Sequence, residues 1–181
     1  MADRVIIVPY DLEWPALFSK LGMALRQALG ATALRIDHIG STAVPGMPAK
    51  PIIDVQVSVA SLEPVEPFRA PLASLGYVFR SENPELTKRY FREKPGERRT
   101  HIHVRRAGSW SEQFALLFRD YMRAHPEDAS RYGDVKCRLA QRCGDDRHGY
   151  TEAKAPYLWE IMAKADRWSQ DTGWQPGPTD A

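Results

Sequence analysis

The stretch from Leu34 to Val59, LRIDHIGSTAVPGMPAKPIIDVQVSV, decides the fold. Leu34 to Ile39 reads as a strand. Gly40 to Lys50 holds Gly40, Pro45, Gly46 and Pro48 and reads as a loop. Pro51 to Val59 is a second, strongly β-branched strand. Alternation along it puts Ile53, Val55, Val57 and Val59 on one face and Asp54, Gln56 and Ser58 on the other. Gly40 lets the backbone approach a ligand, and successive N–H groups with the hydroxyls of Ser41 and Thr42 can cradle an anion. Lys50 closes the loop with a positive charge. The same residues also describe a tight turn whose hydroxyls cap the backbone. Asp54 is costly to bury unless it is paired or metal-bound. It reads either as a magnesium ligand beside a phosphate, or as a partner for Lys50 on an open sheet face.

Upstream, Val5 to Val8 reads as a short strand, and Pro9 to Asp11 as a turn. A helix follows with Pro15 in its first turn. Trp14, Phe18, Leu21, Leu25 and Leu29 share one face, and Gly30 ends it. Downstream, a helix over Pro67–Leu75 leads through Gly76 to a strand at Tyr77–Arg80. Lys88–Lys94 and Thr100–Arg105 form a hairpin through Pro95-Gly96. From Ser111 the period is helical, with Phe114, Leu117, Phe118 and Tyr121 in one stripe and a break at His125-Pro126. Tyr132, Val135 and Leu139 mark the next helix, ending near Gly144. Thr151 caps the last, which carries Leu158, Ile161, Met162 and Ala165. Strands come early and helices late, so the expected class is α+β: a mixed β-sheet with flanking helices and a helical C-terminal half. One domain is expected over residues 1–168, with 169–181 a disordered tail.

The chain has 181 residues, 43% of them hydrophobic and 27% charged, which suits a globular domain that needs no staples. No apolar run is long enough to span a bilayer and no secretory signal is visible, so a cytoplasmic setting without membrane partners is expected. Cys137 and Cys143 match neither a metal knuckle nor a redox pair, and read as reduced structural thiols. Net charge is only +2, but Lys88, Arg89, Arg92, Lys94, Arg98, Arg99, Arg105 and Arg106 crowd one segment. That run is either a local positive field or a charged hairpin edge that discourages edge pairing.

His101 and His103 share one face of their strand, beside Lys88, Arg89 and Tyr90 on its neighbour. Such spacing can ligate a transition metal, line a polar pocket or bind phosphate. His38 lies on the apolar side of its strand and reads as a hydrogen-bonded core histidine. In the helical half, Arg119, Tyr132, Lys136 and Lys154 can point at one cleft; core rings flanked by solvated charges describe them as well.

Taken together, these stretches resemble the GrpB family. The matching segments are Val8-Pro9-Tyr10-Asp11 with Glu13-Trp14-Pro15, His38 to Gly46, and Ala49 to Asp54. His101 to Val104, Phe118 to Tyr121, and Tyr150-Thr151 with Lys154 echo it further on, and the likeness runs nearly to Trp168. The resemblance implies a nucleotidyltransferase-like fold. In that superfamily a Gly-Ser turn holds a nucleoside triphosphate, and two carboxylates spaced Asp-x-Asp/Glu on the next strand hold Mg2+ or Mn2+. A third acid comes from a later strand. Gly40-Ser41 and Asp54 match. Gln56 stands where the second carboxylate is expected, and His101 or His103 would have to serve as the third. The expected catalytic residues are therefore Asp54, His101 and His103, with Asp54 and Gln56 at the metal. Gly40, Ser41, Thr42, Lys50, Lys88, Arg89, Tyr90, Arg119 and Lys154 are expected around the phosphates or nucleotide. The resemblance also implies an accessory folding role, since similar domains occur fused to dephospho-coenzyme A kinases. Three functions follow: metal-dependent nucleotidyl transfer, nucleotide binding without turnover, and, last, RNA binding by the basic hairpin. Charge near balance makes nucleic acid the least expected partner.

Overall fold

A computed structural model describes residues 4–181. The first helix, α1, runs Trp14–Leu29 with Pro15 in its first turn and Gly30 beyond its end at φ 51°. Its apolar stripe buries Trp14, Phe18, Leu25 and Leu29, while Leu21 stays partly exposed. Each such side chain contributes about 1.5–3 kcal/mol on burial.

The strands are β1 (Arg35–Ile39), β2 (Ile53–Val59), β3 (Tyr77–Phe79), β4 (Lys88–Glu93) and β5 (Thr100–Arg106), with α2 (Glu66–Ser74) between β2 and β3. They form one mixed sheet in the order β1-β2-β5-β4-β3. β2 and β5 are parallel; the other pairs are antiparallel. The period-2 pattern sorts the two faces. Ile36, Val55, Val57, Ile102, Val104 and Phe91 build the core under α1 and α2. Asp54, Gln56, His101 and His103 point to the other side, where α3 (Trp110–Ala124), α4 (Pro126–Cys143) and α5 (Arg147–Thr172) pack. The α+β class and the mixed sheet stand as expected.

Three local expectations fail. Val5 to Val8 is not a strand: only Val8 bridges, to Ala49, while Val5 packs with Leu139, Ala140 and Tyr150 of the helical half. Val8 alone pairs, Val5 packs, and Ile6 is exposed. Thr151 does not cap α5. The helix starts at Arg147, and Asp146 caps it by accepting from the Gly149 N–H at 2.8 Å. The tail is not disordered either. Beyond α5 it folds back along β1, an edge of the sheet. There the Thr179 hydroxyl accepts from the Ile36 N–H, and the Asp180 carboxylate accepts from the His38 N–H, both at 2.9 Å. Among the described residues no helix is long and apolar enough to cross a membrane.

Candidate functional site

Glycine geometry starts the site. Gly40 has φ 71° and ψ −168°, a region essentially confined to glycine. A Cβ there would lie 2.8 Å from the Asp54 Oδ2. The residue expected to let a ligand approach thus lets the Asp54 carboxylate approach. The loop beyond it is anchored, because Val44 and Met47 insert into a second core formed by α3, α4 and α5. Lys136 reinforces this by donating from Nζ to the Pro48 carbonyl at 2.6 Å.

Below the loop lies a basin of about 200 Å³ lined by Ser41, Thr42, Lys50, Asp54, His101, Lys136, Arg147, Tyr150, Thr151 and Lys154, among others. A larger cavity of about 480 Å³ lies between α1 and the sheet, lined by Leu17, Leu21 and Tyr77. The smaller basin gathers the convergent polar groups.

Asp54 is its centre. Its Oδ1 accepts from His101 Nδ1 at 3.1 Å and from His103 Nε2 at 3.4 Å. Burial alone would raise the carboxyl, but these two imidazoles hold it well below the usual carboxylate range. Burial lowers His103 to about 4 against the pull of Asp54, so the ring is neutral near pH 7. Tyr90 stands against both rings, at 5.5 and 5.2 Å between centroids, and burial pushes its hydroxyl up to about 12.

The cations outnumber the acid. Lys50, Lys136 and Lys154 line the basin together with Arg147, and Asp54 is the one carboxylate among the described lining residues. Lys50 lies 4.3 Å from the Tyr150 ring centroid and Lys154 5.7 Å. Burial, and then the charges of Lys154, Arg147 and Arg99, lower Lys50 to about 8. Burial, and then Lys154, lower Lys136 to about 7. Crowded ammonium groups of this kind favour an incoming anion.

Several expected contacts are placed elsewhere. Thr42 borders the basin, but its hydroxyl donates to the Ile52 carbonyl and sits 3.0 Å from His38 Nε2. Burial lowers His38 to about 4, so the ring is neutral, a core histidine stacked on Phe18. Arg89 points to the opposite face and pairs with Glu63 at 2.6 Å. Lys88 shares the polar face but pairs with Glu85 at 2.5 Å, away from the basin lining. Arg119 is buried on Asp37, Asp120 and Asp180, and Tyr132 packs into the helical core. Gln56 is fully buried: its Oε1 accepts from Arg105 Nη1 at 2.5 Å and its Nε2 donates to the Glu112 carbonyl at 3.4 Å. An amide so engaged does not ligate a metal, and the two-carboxylate magnesium cradle of the superfamily does not fit these residues. Arg92 and Arg99 of the basic run both pair with Glu93.

Arg147 was missed by sequence reasoning. The signal was present: Arg147, Tyr150, Thr151 and Lys154 are spaced i, i+3, i+4 and i+7, and all four line the basin. Starting the helix at Thr151 hid that stripe. The first turn of α5 also brings the positive end of its dipole to the basin.

This sheet, its helices and its two sorted faces define a mixed-sheet α+β domain. The likeness to solved structures includes a cytoplasmic RNA terminal U-transferase, at a TM-score of 0.52 and 13% identity over 75% of this chain and 43% of that one. Cid1 in complex with its short product ApU gives 0.51 and 15% over the same shares. At such identities the likeness concerns the fold alone. The family model described as GrpB protein matches residues 4–164, and the chain belongs to the GrpB family. The crystal structure of conserved protein GrpB from Enterococcus faecalis superposes at a TM-score of 0.82 with 34% identity, covering 90% of this chain and 99% of that one. Among curated relatives, a UPF0157 protein of Pseudomonas aeruginosa is 40% identical over 90% of this chain and 68% of its own length. A dephospho-CoA kinase of Mycolicibacterium paratuberculosis is 35% identical over 95% of this chain and 48% of its own length. The chain therefore spans about half the length of that relative.

Proposed function

We propose that the chain binds a nucleotide, or a closely related phosphate ester, in the basin below the Gly40–Lys50 loop. One observation carries this reading: Lys50, Lys136 and Lys154 converge beside Asp54, the one carboxylate among the described lining residues, with Ser41, Arg147 and the start of α5 next to them. Phosphate oxygens would offset that excess of positive charge, and helix N-termini suit such anions. Binding without turnover is the primary form, and such a module serves as a sensor or accessory domain. The engaged amide of Gln56 supports it, because two-metal transfer relies on shared carboxylates. A cytoplasmic setting belongs to the same reading, since the thiols of Cys137 and Cys143 are free.

A second reading, nucleotidyl transfer, draws on the fold and on Asp54, whose side chain is 28% exposed in the basin wall. A thermal-shift series separates the two. ATP, GTP, CTP, UTP, coenzyme A and pyrophosphate are each added with EDTA, then with Mg2+ or Mn2+. A ligand at a hundred times its Kd adds about 2.7 kcal/mol, or roughly 5–10 °C in a chain of this size. A shift that persists in EDTA and disappears in Lys50→Ala/Lys154→Ala supports the binding module. A shift that requires metal and Asp54 favours transfer. No shift with any of these ligands overturns both.

A further inference from the structure

Asp54, His101 and His103 converge on one point from two adjacent parallel strands. Asp54 pairs with His101 and Gln56 with His103 in the β2–β5 register, so both rings lie on the carboxylate's face of the sheet. One carboxylate oxygen of Asp54, one nitrogen of His101 and one of His103 all lie within 4.8 Å of one another. The two nitrogen–oxygen distances are 3.1 and 3.4 Å. Ligand atoms ~2.0–2.2 Å from a common ion stand about 3.0–3.5 Å apart when the angles between them are octahedral or tetrahedral. These spacings match. Without an ion, one carboxylate oxygen serves both rings.

We propose that Asp54, His101 and His103 form a mononuclear site for a first-row transition-metal ion of the zinc, cobalt or manganese class, with its open positions toward the basin. Two imidazoles and one carboxylate select such ions, whereas magnesium prefers oxygen ligands and keeps its waters. Asp54 and His101 line the basin together with Ser41, Lys50 and Lys154. A phosphate-bearing ligand held by the lysines thus meets the ion with one oxygen. That last step rests on the phosphate reading of the basin; the metal site itself stands on the three side chains.

The test uses the full chain, stripped with chelator and dialysed against Zn2+, Co2+, Mn2+ or Mg2+ alone. Metal per chain is counted by mass spectrometry, and Co2+ is followed by its visible absorption. The expected result is one equivalent of Zn2+ or Co2+, with a Co2+ spectrum that excess Mg2+ does not erase. His101→Ala, His103→Ala and Asp54→Ala each weaken binding by at least the ~100-fold that loss of even a supporting partner can cause. No stoichiometric metal, a Co2+ signal displaced by Mg2+, or binding that survives in His101→Ala and His103→Ala overturns the proposal. Wild-type stoichiometry and Mg2+ competition decide the matter even where a variant fails to fold. Because the EDTA arm of the ligand series is metal-free, failure of this site and failure of the phosphate reading are told apart.

Discussion

At the residue scale, the site rests on pairs that compete for the same partners. Asp54 looked in sequence like a metal ligand or a mate for Lys50. In the structure His101 and His103 take its Oδ1, and Lys50 lies over the ring of Tyr150. That leaves the basin cationic, with a definite pH signature. Burial lowers Lys50 to about 8, so its ammonium is charged below that value and loses its proton above it. An anion stabilises the charged form, so affinity for pyrophosphate should fall as pH rises, by up to about tenfold between roughly pH 7 and 9. Binding near pH 8 should also take up protons. Calorimetry in two buffers of different ionisation heat reads both quantities, and a pH-independent affinity would contradict the assignment of Lys50. Legibility at this scale was partial. Gly40, Ser41, Lys50 and Asp54 stood out because a loop and an alternating strand place them together locally. Arg119 and Arg89 did not sort correctly, because a charge gives no sign in sequence of whether its partner is a ligand or a distant carboxylate.

At the element scale, the loop between β1 and β2 is set by what it packs on. Its Pro48 ring sits over Gly133 in α4, where a Cβ would come 2.8 Å from the proline Cδ. Gly133→Ala in an exposed helix would gain about 1 kcal/mol from propensity. Here we expect a net loss of about 1–3 kcal/mol in urea denaturation, from overpacking against a rigid ring. Phosphate affinity should weaken with it as Lys50 moves; a variant as stable as the wild type would refute the contact. The same scale explains why α5 was misread at its start. Asp146, not Thr151, caps it, and the Tyr150–Lys154 segment that looked like a helix entry is already its second turn. Thr151 instead bonds back to the Arg147 carbonyl at 3.0 Å, a use of a hydroxyl that sequence does not distinguish from capping.

At the scale of the whole molecule, the last residues close an edge of the sheet. The tail lies along β1 through Thr179 and Asp180, and Asp180 also holds the buried Arg119 at 2.9 Å. Trp174 adds a bond from Nε1 to Asp120 at 3.2 Å. Deleting residues 174–181 should cost about 1–3 kcal/mol, because Arg119 loses one carboxylate but keeps Asp37 and Asp120. It should also bare β1 and produce concentration-dependent association in sedimentation, the usual consequence of an open edge. An unchanged melting temperature and a monomer at all concentrations would show that the tail is dispensable. Composition suggested disorder for this segment because Gly173, Pro176, Gly177 and Pro178 lack a pattern; its order comes from backbone and side-chain bonds to a strand more than a hundred residues away.

What the sequence determined by itself is the α+β class, the two-faced β2 strand, the His101 and His103 alignment and the Gly40–Lys50 loop. All of these follow from period and local turn chemistry, which act over a few residues. Only the tertiary structure decided that Gln56 belongs to Arg105, that Arg119 is a buried structural ion, that Lys136 enters the basin, and that the tail covers β1. Each of those turns on a partner distant in the chain. Electrostatic and hydrogen-bond pairing is selected by folded proximity, which no local pattern encodes.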